Sequence, residues 1–69
     1  MTGMIRVNGR NEPLAALTVA ELLQRLGVDP QARGAAVAIN GAVVPRRDWP
    51  RQRLEAGDEV EVVRPFAGG

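Results

Sequence analysis

Sixty-nine residues leave room for one small domain, which at this size buries only about 60% of the surface its unfolded chain exposes. An apolar fraction of 45% with 25% charged residues fits a soluble globular domain, and a net charge of +1 does not by itself point to nucleic acid or a membrane. The chain has no Cys, His, Ser, Tyr or Lys, which excludes disulfides and thiolate metal sites and removes most nucleophiles, general bases and metal ligands. No catalytic residue and no metal site are therefore expected; in covalent chemistry such a protein serves as a substrate.

Residues 1–3 read as a loose extension, and Met4 is as good a start as Met1. Ile5 and Val7 share one face of a first strand. Asn8-Gly9 is the dipeptide of a tight hairpin turn, returning a second strand over residues 10–14 that Pro13 places at a sheet edge. Thr18 followed three residues later by Glu21 is a capping box, with Leu17 and Leu22 at the positions of a hydrophobic staple. Val19, Leu22, Leu23 and Leu26 then mark the buried stripe of a helix of two to three turns, ended by Gly27 and Pro30.

Residues 36–39 read as a short buried strand, and residues 42–44 as a brief one stopped by Pro45. Residues 46–53 hold Trp49 and four of the nine arginines, an irregular polar turn. Arginine chelates phosphate well, but a run interrupted by Asp48 reads first as a solvated loop, and Trp49 as a cover for the core. Leu54 plugs the core, residues 56–58 turn, and residues 59–63 alternate with Val60 and Val62 inward and Glu59, Glu61 and Val63 outward. Strand, strand, helix, strand, strand, strand implies an α+β fold, one helix across a mixed sheet of four to five strands.

Pro65 cannot donate to a ladder, so the last residues should project beyond the final strand, up to roughly 20 Å at 3.3–3.6 Å per residue. Gly68 and Gly69 lack a Cβ and can enter a narrow slot. An ionised carboxylate is a poor electrophile; transfer of AMP from ATP gives it a leaving group, and a sulfur nucleophile can then leave a thiocarboxylate. Val63 and Phe66 are apolar groups on this route. They are either scattered surface residues or, with Ala38, a patch that a partner grips.

From Met4 onward the chain resembles the ThiS family of bacterial sulfur carriers of thiamine biosynthesis. The resemblance rests on Thr18-Val19-Ala20-Glu21-Leu22-Leu23, Ala36-Val37-Ala38-Ile39-Asn40-Gly41, Val44-Pro45-Arg46 with Trp49, Gly57-Asp58 and Ala67-Gly68-Gly69. It implies a β-grasp (ubiquitin-like) domain over residues 4–63 and a flexible tail over 64–69. Gly69 would be adenylated and converted to a thiocarboxylate, while Gly68 and Ala67 give access to the activating site. Implied partners are a ubiquitin-activating-type adenylating enzyme that uses ATP, thiazole synthase, and a sulfur donor such as a cysteine desulfurase. The carrier itself binds no cofactor. The Arg-rich stretch and Pro65 depart from the family pattern.

Two other readings compete. The small subunit of molybdopterin synthase shares the fold and the Gly-Gly end, but the Val-Pro-Arg…Trp segment favours the thiamine branch. An S4-like RNA-binding module has a similar strand–loop–strand unit, but the helix here carries only Arg25 as a base, against a nucleic-acid face. With no apolar run near the ~18 residues of a membrane span and no signal-peptide pattern at Met1, a cytoplasmic location is expected.

Overall fold

The computed structural model describes residues 3–13 and 17–64. Asn8 and Gly9 adopt φ +50° and +84°, the left-handed pair of a two-residue hairpin turn. The turn joins β1 (Ile5–Val7) to β2 (Arg10–Glu12), with Val7 opposite Arg10. β2 is an edge strand as expected, but it stops at Glu12 rather than reaching residue 14. Pro13, with no N–H, ends it, and Leu14 lies outside the described residues.

The helix α1 (Val19–Arg25) begins at the capping box read from the sequence. Thr18 accepts from the Glu21 amide at 3.2 Å, and Glu21 accepts from the Thr18 amide at 2.8 Å. Seven residues make about two turns, and the chain leaves through Gly27 at φ +76°. The Thr18 backbone amide, then its hydroxyl, holds the Glu21 carboxyl below its ordinary 4.5; Arg53 and Arg25 add smaller pulls in the same direction, against a desolvation that opposes them. A folded-state pKa below the unfolded one gives stability that is present above about pH 4.5 and lost as pH falls through the folded value. Thr18→Ala is expected to cost about 1 kcal/mol at neutral pH. It should also weaken the acid-side fall contributed by Glu21. Urea melts at neutral and acid pH check both, and an unchanged neutral midpoint would refute the assigned helix start.

β3 (Ala36–Ile39) and β4 (Ala42–Val43) form a second hairpin around Asn40 and Gly41, at φ +51° and +85°. β5 (Glu59–Val63) completes a five-stranded sheet in the order β2-β1-β5-β3-β4. Its pairing with β1 is parallel and with β3 antiparallel, the mixed sheet expected from the order of elements. Only Val37 of β3 is fully buried and Ala36 is exposed, so β3 is not the buried strand expected. It is interior to the sheet, but one of its two faces is open.

The core lies on the other face. Val19, Leu22 and Leu23 of α1 pack with Ile5, Val7, Val37, Val60 and Val62 of the sheet, and Trp49 and Leu54 close the remaining side. With its one helix and mixed sheet, the fold is an α+β β-grasp.

Residues 46–53 are more ordered than a solvated turn. They contain a 3-10 turn (Arg46–Asp48), and their backbone carries the start of α1. The Val19 amide donates to the Gln52 carbonyl at 2.9 Å and the Ala20 amide to the Trp49 carbonyl at 3.1 Å. Together with the cap at Glu21, these satisfy donors that a helix leaves unpaired at its first turn.

Arg46 is exposed, yet its side chain is tied to the backbone rather than left to solvent alone. Its guanidinium donates to the carbonyls of Pro30, of Ala32 at 2.9 Å and of Ala35 at 3.3 Å, and its Cζ stands 4.7 Å from the Trp49 ring centroid. It thereby fastens the α1–β3 connection to the core's tryptophan.

Candidate functional site

β5 is the central strand, and its C-terminal end is where the chain departs toward Gly69. Backbone groups of Val60 and Val62 face β1, and those of Glu59, Glu61 and Val63 face β3. β1 turns away after Val7, so β5 outruns its parallel neighbour beyond Val60. Asn8 fills the gap. Its backbone N–H donates to Val60 O at 2.9 Å, its side-chain Nδ2 donates to Val62 O at 3.1 Å, and its Oδ1 accepts from Val62 N at 2.8 Å. The amide side chain thus takes the place of one more peptide of β1.

Asn40 acts similarly on the opposite edge. Its N–H donates to Glu59 O at 2.7 Å, its Oδ1 accepts from Glu59 N at 2.9 Å, and its Nδ2 donates to Asp58 Oδ1 at 3.0 Å. Each asparagine therefore has two tasks, a positive φ in its turn and an amide that fixes the register of β5. In the sequence Asn8-Gly9 signals a turn only, and nothing local in either Asn-Gly pair shows that both clamp the same strand.

The registers place Arg6, Glu59, Glu61, Val63, Ala36, Ala38 and Val43 on the open face of the sheet. Ala36, Ala38, Val43 and Val63 line a shallow groove of about 210 Å³, in which Val43 is 77% and Val63 57% exposed. Ala38 and Val63, the two described residues of the expected partner patch, are thus brought together; Val43 and Ala36 complete it and were missed. Val43 was overlooked because its strand is only two residues long and its outward face is settled solely by pairing with Ala38. Phe66, Ala67, Gly68 and Gly69 lie outside the described residues, which end at the exposed Arg64.

Among the described residues no group of three His, Cys, Asp or Glu side chains could hold a metal ion, and no helix is long and apolar enough to cross a membrane. The exposed polar positions of α1 are Glu21, Gln24 and Arg25, a mixed face unlike a nucleic-acid surface.

The model of the ThiS family matches residues 5–69, which takes in both hairpins, the helix, β5 and the Gly-Gly end. The chain is 42% identical over 55 residues to the sulfur carrier protein ThiS of Escherichia coli, covering 80% of each. It is 36% identical over 66 residues to the sulfur carrier protein ThiS of Thermus thermophilus, covering 96% of this chain and all of that one. Among solved structures it is similar to the crystal structure of the thiamine biosynthesis protein ThiS of Geobacter metallireducens, with a TM-score of 0.74 at 33% identity over 96% of this chain and 99% of that one. On sequence and on fold alike, this chain belongs to the ThiS family.

Proposed function

We propose that the protein is a sulfur carrier of thiamine biosynthesis, acted on by partner enzymes rather than being one, and that its working group is the main-chain carboxylate of Gly69. A ubiquitin-activating-type enzyme directs a Gly69 carboxylate oxygen onto the α-phosphorus of ATP, and pyrophosphate leaves. Hydrosulfide-level sulfur then attacks the carbonyl carbon and AMP departs, leaving a thiocarboxylate. A cysteine desulfurase is the proposed source of that sulfur, with a thiol reductant where it is delivered as a persulfide. Thiazole synthase takes the sulfur from the thiocarboxylate. ATP belongs to the partner; the carrier needs no bound cofactor.

One observation carries this reading: the family match runs to the final glycine of a chain that has no Cys, His, Ser, Tyr or Lys. The fold supports it, because the terminus follows the central strand, whose register two asparagines fix. Gly68 and Ala67 provide slender access to the activating site, and Ala38, Val63 and Phe66 belong to the surface that a partner grips. A cytoplasmic location agrees with the ATP-dependent chemistry.

The test is an intact-mass measurement after incubation with ATP, sulfide and the cognate adenylating enzyme. Replacement of one terminal oxygen by sulfur is expected. An unchanged mass beside an enzyme that converts another carrier would overturn the assignment.

A further inference from the structure

Asn8 and Asn40 make the same kind of contact at opposite ends of β5, yet the two ends differ in what else holds them. Around the start of the strand, backbone bonds tie the chain independently of Asn40. The Gly57 amide donates to Met4 O at 2.8 Å and the Arg6 amide to Asp58 O at 2.9 Å. At the far end the backbone support is one-sided. β3 pairs with β5 as far as Val63, opposite Ala36, the first residue of β3. On the β1 edge, the last backbone bond among the described residues runs from Asn8 N–H to Val60 O. The next groups on that edge, Val62 N–H and C=O, are taken by the Asn8 side chain at 2.8 and 3.1 Å. No backbone group of β1 can do this, because the chain has already turned at Asn8, with φ +50°, and runs back as β2.

Resting on the sulfur-carrier reading, we infer that Asn8 is a positioning residue for adenylation of Gly69. Its amide closes the second edge of β5 at Val62 and so sets the point and direction from which the terminus leaves the sheet. Gly69 lies seven residues beyond Val62, roughly 23–25 Å when extended. At that length a swing of about 10° at Val62 carries the far end through about 4 Å. Attack on the α-phosphorus needs the reacting atoms about 3–3.5 Å apart, and a misplacement of about 1 Å can cost on the order of 100-fold. Without the amide, β3 alone holds the end of β5. Fraying there adds conformations that must be frozen each time the carboxylate is brought to ATP. The loss therefore falls on the step after docking, not on docking itself.

The test compares Asn8→Gly with Asn40→Gly in the full chain. Each keeps the positive φ of its turn and the backbone N–H bond while deleting one side-chain clamp. Three quantities are read: Kd for the cognate adenylating enzyme by calorimetry, ATP-dependent pyrophosphate exchange at saturating carrier, and amide hydrogen exchange by NMR. Asn8→Gly is expected to speed exchange of the Val62 amide at least tenfold beyond any global change. It should lower the saturated pyrophosphate-exchange rate about tenfold, with Kd within twofold of the parent. Asn40→Gly should speed exchange at the Glu59 amide and lower the denaturant midpoint to a similar degree, yet keep the parent's saturated rate. An equal fall in rate for both variants would make the effect one of strand stability and overturn the inference. So would an Asn8→Gly rate within twofold of the parent, a defect carried by Kd, or a Val62 amide as slow as the parent's. Failure of the parent itself to exchange pyrophosphate would instead strike the carrier reading.

Discussion

A chain lacking Gly68 and Gly69 is expected to acquire no sulfur and to support no thiazole formation, while its denaturant midpoint stays that of the parent. The shortened chain still ends in a carboxylate, so the loss cannot come from the absence of the functional group. It comes from reach and from shape. Two residues remove about 7 Å of extended chain. The new terminal residue, Ala67, also carries a Cβ beside its carboxylate, where Gly69 carries none. Stability should be spared because the buried set among the described residues already holds the helix against the sheet and ends at Val62. Gly69→Ala separates the two causes: it keeps the length and adds one methyl at the reacting residue. Full activity of the deletion variant would remove the Gly69 carboxylate from the mechanism.

Trp49→Ala is expected to carry the largest stability loss. The indole is 2% exposed and its Nε1–H donates to the Val44 carbonyl at 2.9 Å. Truncating a buried aromatic costs about 3–5 kcal/mol. The Val44 carbonyl is left without this donor and Arg46 without its ring. At roughly 0.05–0.15 kcal/mol per residue, a domain of this length has on the order of 3–10 kcal/mol in total. A large fraction of the chains should therefore be unfolded at room temperature, with activity falling in proportion to the folded fraction. Trp49→Phe keeps most of the apolar volume but loses the hydrogen bond, and should fall between parent and Ala at about 1–3 kcal/mol. Urea titrations followed by far-UV circular dichroism provide the comparison. Equal midpoints for the Ala variant and the parent would show that the tryptophan does not close the core.

Local chemistry made most of the elements readable before any coordinates. The capping box at Thr18, the two Asn-Gly turns and the alternation through β5 each encode their geometry within a few residues. What escaped depended on contacts distant in sequence. Arg46 looked like one member of a basic run because its three carbonyl partners lie 11 to 16 residues away. β3 looked buried because its composition is apolar throughout; only the registers reveal that Ala36 joins Ala38 on the outward face. The groove required three strands to be placed side by side before Val43 could join Ala38 and Val63. For the terminus the information was chemical: a chain stripped of nucleophilic side chains directs attention to its main-chain carboxylate.

The paired asparagines also set how this molecule ages. Asn followed by Gly is the dipeptide most open to loss of ammonia through a cyclic imide, and both clamps on β5 are of this kind. Hydrolysis at Asn8 would set an oxygen against the Val62 carbonyl where an N–H stood, and at Asn40 a second carboxylate against Asp58. Either event swaps an attraction for a repulsion beside the strand that leads to the terminus. The native hydrogen bonds hold both side chains in place, so integrity of the ladder and chemical shelf life are one property.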